Sequence, residues 1–71
     1  MALSTDNLCK IASFGGSIKI DASEKSTDNL YKIAKALKKG AKLILTNASI
    51  KSTDNLCKIA AASPGNVIFE L

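Results

Sequence analysis

Ser4-Thr5-Asp6-Asn7-Leu8-Cys9-Lys10-Ile11-Ala12 returns as Ser26-Thr27-Asp28-Asn29-Leu30-Tyr31-Lys32-Ile33-Ala34, and a third time as Ser52-Thr53-Asp54-Asn55-Leu56-Cys57-Lys58-Ile59-Ala60. Only the sixth of the nine positions changes, from Cys9 to Tyr31 to Cys57. The copies begin 22 residues apart (Ser4 to Ser26) and then 26 apart (Ser26 to Ser52), room for one short helix, one strand and two turns. A recurrence of this length means that the fold is a stack of copies of one supersecondary unit.

Each copy starts a helix for a physical reason. The Ser hydroxyl can accept one of the backbone N–H groups that a helix start leaves without partners, and the Asp two residues later meets the positive end of the helix dipole. Leu, Ile and Ala at i, i+3 and i+4 then make one apolar stripe, while Asp and Lys four residues apart support each other on the exposed side. Gly15-Gly16, Gly40 and Pro64-Gly65 supply the stops. The pattern predicts helices near 5–13, 27–39 and 53–62.

After each stop comes a short β-prone segment. Ile18-Lys19-Ile20-Asp21, Leu43-Ile44-Leu45-Thr46 and Val67-Ile68-Phe69-Glu70-Leu71 alternate their residue types and have strand length, which predicts strands near 17–21, 42–47 and 66–70. Helices and strands that alternate in this way imply parallel strands joined by crossovers. The fold class is therefore α/β: a three-repeat helix-strand solenoid whose parallel sheet is covered by helices on one face. One domain spans residues 1–71, with repeats of about 4–25, 26–51 and 52–71. Its core is expected to pack Leu8, Ile11, Leu30, Ile33, Leu37, Leu56 and Ile59 on Ile18, Ile20, Leu43, Leu45, Val67 and Phe69.

Composition bounds the rest. The 71 residues hold 10 lysines and 6 acids, carry a formal charge of +4, and are 46% hydrophobic and 23% charged, a globular balance and not that of a disordered tail. A chain so short buries only about 60% of its unfolded surface, which makes stability as a lone molecule marginal and oligomerisation an economical remedy. No apolar run reaches the ~18 residues a membrane span needs, and Asp6 and Lys10 interrupt any signal-peptide stretch, so a cytoplasmic chain without membrane contact is the expectation. There is no His, and the two cysteines are 48 positions apart (Cys9 to Cys57). One chain thus offers neither a zinc site nor a Cys/His pair, and no nucleophile has a base: no enzyme, catalytic residue, metal or cofactor is expected.

The stretch Leu43-Ile44-Leu45-Thr46-Asn47-Ala48-Ser49-Ile50, followed by Leu56 and Ile59-Ala60, resembles the L-x-L-x-x-N-x-L core of leucine-rich repeats of the type with a helical convex side. Ala48 stands where that family prefers Asn, Ile50 matches the closing apolar position, and the likeness is strongest in the middle unit. The resemblance implies that the sheet face away from the helices carries ligand contacts. Lys19, Asp21, Ile44, Thr46, Ile68 and Glu70 would present that face, with Ile44 and Ile68 apolar where a solvated sheet would be polar.

Solenoids normally close their ends with altered polar repeats, yet the outer helices here are near copies of the inner one. The last strand also lacks the Pro, bulge or Lys that blunts an edge. Leu8, Cys9, Val67, Ile68, Phe69 and Leu71 are accordingly the expected self-association edge. Cys9 and Cys57, about 16–20 Å apart within a chain at ordinary helix spacing, would become neighbours between stacked chains. The partner expected first is the chain itself, in a closed homo-oligomer or a filament. A leucine-rich-repeat-like module binding another protein by its sheet face is the alternative. A nucleic-acid accessory role for Lys32, Lys35, Lys38, Lys39 and Lys42 is weaker, because the chain has no Arg for bidentate contacts and no aromatic stacking platform.

Overall fold

The computed structural model describes residues 3–71. Its elements run α1 (Thr5–Ser13), β1 (Ile18–Asp21), α2 (Thr27–Ala36), β2 (Leu43–Thr46), α3 (Thr53–Ala62) and β3 (Val67–Phe69), with 3₁₀ turns at Ala22–Glu24 and Ala48–Ile50. The three strands are parallel in the order β1-β2-β3, so each new unit is laid beside the previous one. The fold is the three-repeat α/β arrangement that the recurrence implies.

The caps form as the serines predict. Ser4, Ser26 and Ser52 each accept the N–H of the Asn three residues on, at 3.2 Å in every copy. Strand register then stacks like on like. Ile18, Leu43 and Val67 form one row and Ile20, Leu45 and Phe69 another, while Lys19, Ile44 and Ile68 form the row between them, on the opposite face because strand side chains alternate. Leu30, Ile33, Leu43, Leu45 and Ile59 are wholly buried between the helices and the sheet.

Three expectations are corrected. The middle helix ends at Ala36, not at residue 39: Leu37 turns out to ψ 126°, and the Lys38 N–H donates to Ala12 O of the first unit at 3.0 Å. The hydrogen bond to the neighbouring unit replaces the next helical turn. Ile11 is not in the core; it is 41% exposed, although its equivalents Ile33 and Ile59 are sealed. Ile20, Leu56, Val67 and Phe69 pack against the core but stay only half-buried, as does Leu37 just past the end of α2. Apart from Leu37, these side chains lie at the two ends of the stack, where no other described unit covers them.

Candidate functional site

A direction runs through the stack, set by where each repeat position points. The eighth position faces the unit before, which is why α1 seals Ile33 and α2 seals Ile59 while Ile11, with no such unit among the described residues, is part-exposed. The sixth position faces the unit after. Tyr31 of α2 lies under Lys58 Nζ of α3, 5.4 Å from the ring centre, as well as under its own helix's Lys35 at 5.6 Å. Cys9 packs half-buried toward α2, and Cys57, with no unit after it, is exposed. Burial raises the Cys9 thiol above its ordinary pKa, helped by nearby Asp6 and opposed by Lys32. The two cysteines therefore stand on the same flank of their helices, Cys9 covered by its own chain and Cys57 open.

The two ends of the solenoid are the open surfaces. At the start, Leu3, Leu8, Ile11, Ile18 and Ile20 line a groove of about 650 Å³ rimmed by Asp21, Glu24 and Lys25. Leu8 is nearly buried at its floor, whereas Leu3 is 47% exposed. At the tail, Leu56, Val67 and Phe69 are half-covered, Ile50 in the second 3₁₀ turn is 58% exposed, and Leu71 projects almost freely. Of the residues expected at the association edge, Val67, Phe69 and Leu71 are at the tail and Leu8 is at the start. Ile68 points from the outer sheet face, and Cys9 is at neither end.

The outer sheet face brings together its six expected residues. Lys19 aligns with Ile44 and Ile68, and Asp21 with Thr46. Lys19 Nζ reaches Glu70 at 3.8 Å across the sheet, a pair so exposed that it contributes little. The hydroxyl and N–H of Ser23 both donate to Asp21, at 2.7 and 2.8 Å, and hold its carboxyl below the ordinary range, with Asn47 assisting.

Two side-chain ties between units escaped the sequence reading. Lys25 Nζ donates to Leu3 O at 2.8 Å, and Lys51 Nζ donates to Lys25 O at 3.0 Å, so the residue just before each cap Ser links to its counterpart one unit earlier. Lys-Ser-Thr-Asp-Asn-Leu at 25–30 and 51–56 was the signal that could have found this tie. Lys58 Nζ also reaches back one unit, to Asp28 Oδ1 at 3.0 Å, and depresses that carboxyl. Lys42, expected in a basic cluster, is instead spent on Gly65 O and Asn66 Oδ1 of the third unit, at 3.1 and 3.0 Å. Lys32, Lys35, Lys38 and Lys39 are exposed.

Among the described residues no three His, Cys, Asp or Glu side chains stand close enough to hold a metal ion, and no helix is long and apolar enough to cross a membrane. No protein-family model, curated protein or solved structure matches the chain.

Proposed function

We propose that this chain is a structural repeat protein that assembles with copies of itself, the tail unit of one molecule stacking on the start unit of the next. The observation that carries this reading is the unequal burial of equivalent residues. Ile33 and Ile59 are sealed by the unit before them, and Ile11 lacks only such a unit. A tail end stacked there closes the start groove, and the same contact covers Leu56, Val67 and Phe69. Each large aliphatic side chain so buried contributes about 1.5–3 kcal/mol, on a chain whose size leaves little stability to spare. Unlike ends that fit each other make a heterologous contact, which closes into a ring or grows into a filament. The small rotation expected from one unit to the next favours the filament. Light scattering and negative-stain microscopy of the purified chain test this. Elongated particles that lengthen with concentration are expected, and a featureless field with monomer-level scattering contradicts the reading.

Ile68 favours a second reading. It is 45% exposed in line with Ile44 on the outer sheet face, so a leucine-rich-repeat-like module could meet another protein, or a second copy about a two-fold axis, through that strip. Assembly abolished by Ile68→Lys would select this reading, because the end-to-end stack leaves Ile68 in solvent.

A further inference from the structure

The junction between the second and third units also shows what a junction between molecules would repeat and what it would replace. The first-unit counterpart of Ile50 is Glu24, since both close the 3₁₀ turn before a helix, and the first-unit counterpart of Lys51 is Leu3, since both precede the cap Ser. Where the second unit meets the third, Lys51 reaches back to the Lys25 carbonyl, next to Glu24. That position is polar on both sides inside the chain. At the two free ends it is apolar on both sides: Ile50 is 58% exposed at the tail and Leu3 is 47% exposed at the start. A second correspondence lies on the helices. Asp28 and Lys58 bridge α2 and α3, and the positions that would repeat this pair between molecules are Asp54 at the tail and Lys10 at the start, both exposed.

Building on the stacking reading, we infer that the junction is head-to-tail and in register: Leu3 of each incoming copy packs on Ile50 of the copy before, and its Lys10 faces Asp54. β1 of the incoming copy then extends the parallel sheet beside β3, with Ile18 against Val67 and Ile20 against Phe69, as the rows already run inside the chain. The occupant of the start groove is a second copy of this chain because its tail carries both an exposed apolar partner for Leu3, in Ile50, and a carboxylate for Lys10, in Asp54. Replacing an internal Glu and Lys by Ile and Leu at the ends also separates the two kinds of junction. The intermolecular one excludes water where the internal one hydrogen-bonds, so a lone chain keeps its own order of units and recruits others only by its ends.

Two half-blocked chains test this. Leu3→Glu spoils only the start and Ile50→Glu only the tail, and because both introduce the same charge the spoiled ends cannot rescue each other. Both sites are exposed in the lone chain, so helical circular dichroism should be retained; Leu3→Ser and Ile50→Ser replace any glutamate variant that loses it. In sedimentation velocity at a concentration where the unaltered chain polymerises, each variant alone should run as a monomer, its junction weakened by about tenfold or more. An equimolar mixture should stop at a one-to-one dimer of twice the 7.4 kDa chain mass. Either variant dimerising alone means like ends meet, and both polymerising like the unaltered chain means that the contact lies elsewhere. Each result overturns the junction while leaving assembly standing. An unaltered chain that stays monomeric sinks the stacking reading and this inference with it.

Discussion

Leu30 lies wholly buried on the inner face of the central helix, and its truncation measures how much the core contributes. Leu30→Ala should cost about 2–5 kcal/mol, as large-to-small core changes do, read as a lowered midpoint in urea; an unchanged midpoint contradicts the packing. Ser26→Ala, which removes one cap, should cost only about 1 kcal/mol. Acid acts through Asp21 and Asp28, both held below the ordinary carboxylate range, Asp21 by Ser23 and Asp28 by Lys58. Each folded value lies below the unfolded one, so the stabilisation is complete above about pH 4 and is lost as pH falls through the folded value. Thermal melts should therefore decline below pH ~4, and Asp28→Asn should flatten that decline slightly, the pair being exposed. At this scale the identity of the caps and of the buried Leu and Ile positions could be read from the repeat, because both follow from local chemistry. The exposure of Ile11 could not, since the same nine residues give opposite burial depending on what stands before them.

At the scale of elements, helix and strand type followed from period and stops, and the boundaries that moved did so for tertiary reasons. The end of α2 at Ala36 is fixed by the bond from Lys38 N–H to Ala12 O, which no pattern in 27–39 announces. The second unit also carries one more residue than the first between strand and helix. Asp21 pairs with Thr46, yet the turn that follows Asp21 at Ala22 resumes at Ala48. Asn47 absorbs the extra residue by adopting a left-handed φ of 54°, a conformation Asn tolerates better than other side chains. The turn after α1 is tighter. Gly15 takes φ 97°, and a Cβ on Gly16 would lie 2.6 Å from Ile11 Cγ2 and 3.1 Å from Ile11 O. Gly16→Ala should lower stability by about 1–3 kcal/mol, as overpacking does. Ile11→Ala in the same chain should recover part of that loss, since the closer of the two clashes goes with the side chain. Additive losses in the double variant would show that the turn itself, and not Ile11, is what Gly16 serves.

Over the whole molecule, the stack of three helix-strand units was legible in sequence, and so was the apolar character of its last strand. The direction of the stack was not, because it depends on which flank of each helix turns toward its successor, and that emerges only once Tyr31 is seen under Lys58. Direction is what makes the ends unlike and the proposed assembly open-ended. The most direct test is a sedimentation-velocity series on the unaltered chain from low to tens of micromolar concentration. The account predicts a weight-average sedimentation coefficient that climbs continuously as concentration rises, with species well beyond a dimer. A single 7.4 kDa boundary at every concentration would contradict it.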